Sequence, residues 1–177
     1  RCPLLPQGAV TPAVIGQQPT DQESPTAAVP EYMVECGSNR METTVGWRGL
    51  QTWVHIGGGP SRHALVTLHG GPGLPSDYLD PLARLATKDR MVVRYDQVGC
   101  GKSAGPEDDS LWVMGTFVDE LEAVLAGRGL ESFVLLGHSW GGWLALQYVL
   151  ERKPRGLVGL VLASSCSSIP EFGRTTR

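Results

Sequence analysis

Three short stretches carry groups that could act on a carbonyl: His69-Gly70-Gly71-Pro72-Gly73, Asp96 to Ser103, and Gly137-His138-Ser139-Trp140-Gly141-Gly142. The third is central. An apolar, β-rich run over Ser132–Leu136 enters Gly-x-Ser-x-Gly, and a helix-like run over Trp143–Arg152 follows. In that strand–turn–helix setting the motif makes a nucleophile elbow. The turn is so tight that its central residue takes strained backbone angles and its neighbours must be tiny, which accounts for glycine at 137, 141 and 142. A hydroxyl thrust outward at Ser139 is suited to attack a carbonyl carbon. By chance alone the motif arises in roughly one such chain in five, judged from composition. A glycine-rich turn between a strand and a helix also needs no catalytic purpose, so the surrounding elements decide.

The other two stretches supply context. Ala64–Leu68 reads as a short buried strand that runs into His69-Gly70-Gly71. Glycines there leave backbone N–H groups uncovered, and such donors can hold the negative oxygen of a tetrahedral intermediate. The bland alternative is a flexible turn with a histidine packed on it. Gly101-Lys102-Ser103 imitates the end of a nucleotide P-loop, but the first glycine of that loop must stand five residues before Gly101, and Asp96 stands there. Nucleotide binding is therefore not expected. The triplet Gly57-Gly58-Gly59 precedes Pro60 rather than a helix N-terminus, and reads as a linker.

These sites need elements to hold them. Thr43–Trp47 and Leu50–Ile56 predict a hairpin about Arg48-Gly49. Ser76 is placed to cap a helix with Tyr78, Leu79, Leu82, Leu85 and Ala86 on one face, and Pro81 early in it. Met91–Tyr95 predicts a strand. Met114, Phe117, Val118, Leu121, Val124 and Leu125 form an apolar stripe at helical spacing, with Asp119, Glu120 and Glu122 read as its solvated face. Gly127 and Gly129 end that helix, Pro154 stops the one after Ser139, and Leu157–Ala163 is a further buried strand. Strands alternating with helices predict a mostly parallel sheet with an N-terminal antiparallel hairpin, helices on both faces and right-handed crossovers.

The chain has 177 residues, of which 41% are apolar, and a net charge of −3. Those values describe an ordinary globular protein with room for one core, and nothing in them suggests nucleic acid or an anionic membrane as partner. Cys2, Cys36, Cys100 and Cys166 are scattered, without a Cys-x-x-Cys pair or a metal-site spacing, and predict a reducing compartment, the cytoplasm. Six of the thirteen prolines fall in residues 1–30, so a tail over 1–40 is expected to be disordered. Those prolines also break Leu4–Ile15, and no signal peptide or membrane span is expected.

With all three motifs in order, residues Thr43 to Ile169 resemble the proline iminopeptidase (prolyl aminopeptidase) branch of the α/β-hydrolases. The resemblance implies an α/β-hydrolase fold over about 41–170, with 171–177 divergent. It implies a peptide substrate with a free N-terminus, from which proline or another small residue is released, and no cofactor and no metal. Carried over, Ser139 is the acylated nucleophile, the backbone N–H of Trp140 and one from Gly70 or Gly71 form the oxyanion hole, and Asp96 to Ser103 is a structural loop beside it. Neither His69 nor His138 is the general base.

Two departures stand out. Val98 occupies a position where the family usually has arginine. In this fold the triad runs Ser, then Asp or Glu, then His, yet no histidine follows Ser139, and the only later acids are Glu151 and Glu171. The expectation is the N-terminal half of a hydrolase, nearly inactive as it stands, with Leu157–Ala163 left as an apolar edge. Three functions stay open: a prolyl aminopeptidase, an esterase or amino-acid amidase on the same fold, and a non-catalytic remnant or interaction module.

Overall fold

The computed structural model describes residues 40–166. The proline-rich tail (save Arg40) and the end at 171–177 lie outside the described residues, as do Cys2 and Cys36.

Strands β1 (Arg40–Trp47) and β2 (Leu50–Gly57) pair antiparallel with Trp47 opposite Leu50, as the hairpin pattern predicts. The two-residue turn needs positive φ at both positions, and Arg48 (45°) and Gly49 (78°) supply it. Strands β3 (His63–Leu68), β4 (Met91–Tyr95), β5 (Ser132–His138) and β6 (Leu157–Ala163) complete one six-stranded sheet in the order β1-β2-β4-β3-β5-β6. β2 meets β4 antiparallel, whereas β4, β3, β5 and β6 run parallel. Because β3, β4 and β5 are parallel, the residues that follow Leu68, Tyr95 and His138 emerge at one edge of the sheet. The three motifs therefore meet there, at the carboxyl ends of the strands, where open α/β sheets bind their ligands.

Helices α1 (Met114–Gly127) and α2 (Trp140–Arg152) cover one face. Val54, Val66, Leu68, Val93, Tyr95 and Leu135 point into it and pack with Phe117, Leu121 and Leu144. Leu65, Val92 and Ala86 form a smaller cluster, in which Leu65 and Val92 alternate with the strand residues of the main core, as the period of two requires. Among the described residues no helix is long and apolar enough to cross a membrane, and no group of His, Cys, Asp and Glu could hold a metal ion.

Three local expectations are corrected. The helix after Ser76 is a 3-10 segment, Asp77–Leu85, with Pro81 inside it. A proline lacks the N–H that continued α-helical bonding would use, and the tighter turn rotates the apolar face. Leu79, Ala83 and Ala86 are buried, while Tyr78 and Leu85 are exposed. Ser76 makes no side-chain cap and instead donates its hydroxyl to Asp96 Oδ1 at 2.6 Å. Second, α2 begins at Trp140 rather than Trp143, because the elbow glycines are themselves its first turn.

The third correction concerns Glu120. Asp119 and Glu122 do lie outward, pairing with Arg48 and Arg152, but Glu120 is fully buried. Its place three after Phe117 and four before Val124 turns it onto the apolar stripe. Burial is sustained by acceptance from Thr52 Oγ1 (2.6 Å) and from the Val98 N–H (2.9 Å), with Trp47 Nε1 donating to Thr52. Desolvation pushes its pKa up to about 7, against those two hydrogen bonds.

At the other end of the sheet β6 pairs only with β5 among the described strands, and Val158, Val161 and Leu162 are exposed.

Candidate active site

Ser139 joins β5 to α2 with φ 53° and ψ −117°, a backbone conformation that side-chain-bearing residues rarely adopt. Four hydrogen bonds to its backbone hold it there. Its N–H donates to Ala163 O (2.9 Å), and its carbonyl accepts from Gly142 N (3.0 Å), Trp143 N (3.4 Å) and Ser165 Oγ (2.8 Å). The residue is exposed, and among the described residues no hydrogen bond engages its hydroxyl.

Each elbow glycine has a separate steric reason. A Cβ at Gly137 would strike the backbone of Gly141 and Gly142. One at Gly141 would fall inside the carbonyl of Leu68, and one at Gly142 would overlap Ser165. The helix thus starts pressed against the ends of β3 and β6, with no room for a methyl group.

Gly70 lies directly beside this turn. A Cβ built on it would stand 3.2 Å from Ser139 Cβ, 3.2 Å from His138 Nδ1 and 3.3 Å from the Tyr78 hydroxyl. The structure therefore brings Gly70 and Ser139, both singled out by the sequence, side by side. The two loop glycines differ in their surroundings. The Gly70 N–H is already donated to Tyr78 Oη at 2.6 Å, whereas Gly71 is exposed.

The orientation of the Gly71 N–H follows from His69. Gln97 N–H donates to His69 Nε2 (2.8 Å), so that nitrogen must be the acceptor and Nδ1 carries the proton. Nδ1–H donates to Gly70 O at 2.9 Å. Since a peptide unit is planar and trans, pinning Gly70 C=O toward the buried ring turns the Gly71 N–H the opposite way. Burial lowers the His69 pKa and keeps the ring neutral, the form this arrangement requires.

Gln97 is fully buried and ties the two halves of the site. Its Nε2 donates to His69 O (2.9 Å) and its Oε1 accepts from the Trp140 indole N–H (2.9 Å). The Trp140 backbone N–H opens α2, where first-turn donors lack intrahelical acceptors and the helix dipole favours negative charge. Its ring packs edge-on between Phe117 (centroids 5.4 Å apart) and Trp143 (5.1 Å).

Asp96 organises the adjoining loop. Oδ1 accepts from Ser76 N and Oγ, Oδ2 accepts from Lys102 N (2.8 Å), and a Cβ at Gly101 would overlap that carboxylate. Ser103 donates to Asp96 O and accepts from Trp53 N. The position a P-loop glycine would need is thus filled by a buried carboxylate that accepts from Ser76 and Lys102.

None of the four histidines is set to deprotonate Ser139. His69 has both ring nitrogens engaged, His138 Nδ1 faces Tyr78 Oη (2.9 Å), His55 is buried on β2, and His63 begins β3 at the opposite end from the motifs, bonded to Ser132. Gln97 lies in the Asp96–Ser103 stretch that the sequence singles out, but its side-chain role is not legible there, and Tyr78 reads in the sequence only as an apolar-face residue of the helix after Ser76.

Residues 63–177 match the family model described as alpha/beta hydrolase fold. Among curated proteins, the chain is 42% identical over 125 residues to the proline iminopeptidase of Lactiplantibacillus plantarum, covering 69% of this chain and 44% of the relative. It is 43% identical over 105 residues to that of Clostridium botulinum, covering 59% and 36%. Among solved structures, the proline iminopeptidase of Mycobacterium smegmatis superposes with a TM-score of 0.69 at 36% identity, covering 76% of this chain and 47% of that one. VinJ superposes at 0.65 and 34% identity, covering 76% and 48%. The chain spans less than half the length of the curated relatives it matches.

Proposed function

From the premise that this chain belongs to the alpha/beta hydrolase fold family, we propose that it is the part of a serine aminopeptidase of the proline iminopeptidase type that carries the nucleophile and the oxyanion hole. The observation that carries this reading is the approach of Gly70 to Ser139, with the Gly71 N–H turned outward beside it. In the proposed reaction Ser139 Oγ attacks the carbonyl carbon of a peptide's N-terminal residue. The carbonyl oxygen becomes an oxyanion held by the N–H groups of Trp140 and Gly71. The C–N bond then breaks, the amine leaves with a proton, and water hydrolyses the ester on Ser139.

The serine proton needs an acceptor, and the geometry offers none among the described histidines. Ser139 without a base stays protonated near neutral pH, so the chain alone is expected to act slowly. Fluorophosphonate labelling, traced by peptide mapping, tests the assignment in this chain and in one completed with the remainder of a relative's sequence. Labelling of Ser139 in the completed protein, abolished by Ser139→Ala, is expected; its absence overturns the reading. Rapid cleavage of an aryl ester with no cleavage of proline arylamide would replace the peptidase with an esterase.

A further inference from the structure

Tyr78 does more than fill space at the sheet edge. It is 43% exposed, yet its hydroxyl has two defined partners on two different elements. It accepts the Gly70 N–H at 2.6 Å and sits 2.9 Å from His138 Nδ1. The Tyr78 and His138 rings meet edge to face, with centroids 5.4 Å apart at 68°. Gly70 begins the loop that leads to the outward Gly71 N–H, and His138 is the residue immediately before Ser139. One phenol oxygen therefore bridges the two segments whose separation sets the oxyanion site, through different partners from those of Gln97.

We propose that Tyr78 is a positioning residue of the acyl-transfer site, coupling the Gly70–Gly71 loop to the Ser139 turn through the chain Gly70 N–H, Tyr78 Oη, His138 Nδ1. The proposal rests on the reading of Ser139 and Gly71 given above. Gly70 N–H can only donate, so the phenol oxygen is its acceptor, and the phenol proton is free for His138 Nδ1. A bond that polarises the hydroxyl on one side strengthens its donation on the other. Removing either member then relaxes the same distance.

The test is a double-mutant cycle read by NMR on the whole 177-residue chain, following the backbone amide resonances of Gly70 and Gly71 in Tyr78→Phe, His138→Gln and the double variant. Loss of the 2.6 Å bond should move the Gly70 amide proton upfield in Y78F. H138Q should shift Gly70 and Gly71 more in the parent than in the Y78F background, the difference being the coupling through Tyr78, since His138 also touches Gly70 directly. Equal shifts in both backgrounds, or no shift in the parent, overturn the relay. If Y78F does not fold, 3-fluorotyrosine at position 78 keeps the hydroxyl. Its 19F resonance and the Gly70 amide must then respond together to H138Q, and an unmoved amide overturns the proposal. The cycle needs no turnover, so a failure of Ser139 to label would sink the peptidase reading without deciding this one.

Discussion

The indole N–H of Trp140 donates to Gln97 Oε1 at 2.9 Å, and this hydrogen bond ties the helix after Ser139 to the loop after β4. The same amide donates to His69 O, and its backbone N–H sets the His69 tautomer. Gln97→Ala should therefore cost about 1–3 kcal/mol, because it leaves the buried His69 carbonyl and the part-buried Trp140 indole N–H without partners. Urea unfolding followed by Trp fluorescence measures this. A loss below about 1 kcal/mol would mean that water replaces the amide.

The elbow glycines differ from the hairpin glycine in kind. Gly141→Ala should destabilise by about 3 kcal/mol or more, since its methyl group would overlap the Leu68 carbonyl. Gly49→Ala meets nothing within 4 Å and carries only the strain of φ 78°, about 1 kcal/mol. Thermal melts of the two variants beside the parent give the comparison.

Glu120 gives folding a pH dependence. Its folded pKa of about 7 lies above the ordinary 4.5, so the folded state holds the proton more tightly than the unfolded state between those values. Stability from this group is complete below about pH 4.5 and falls as pH rises to about 7, by on the order of 3 kcal/mol. Glu120→Gln should flatten that part of the stability curve. Denaturant midpoints at pH 5, 6 and 7.5 show whether it does.

The exposed apolar side chains on β6 predict self-association. Lysine at Val158 and Val161, which are 68% and 45% exposed, should oppose it at an edge strand. Sedimentation velocity over a tenfold concentration range should show the parent's apparent mass rising and that of V158K/V161K holding constant.

Much of this architecture can be read from the residues themselves. The six strands and two long helices announce themselves by period, and the elbow by glycines that have no alternative. Legibility fails where a polar residue sits on an apolar face. Glu120 fits the helical stripe by position, but its charge argues for solvent, and only Thr52 and Val98, 68 and 22 residues away, make its burial tolerable. Tyr78 fails for the converse reason. Its ring suggests core, and the 3-10 turn imposed around Pro81 rotates it outward to meet Gly70 and His138. Contacts distant in sequence, which no local pattern encodes, decide both.

The backbone at Ser139 has a thermodynamic corollary. A residue kept at φ 53° is one the rest of the domain must restrain, and relieving it should make the molecule harder to unfold. Ser139→Gly is expected to raise the melting temperature above the parent's by an amount equivalent to about 1–2 kcal/mol, while Ser139→Ala leaves it unchanged. Robustness and reactivity would then be opposed at one atom pair, the Cα–Cβ bond that presents the hydroxyl.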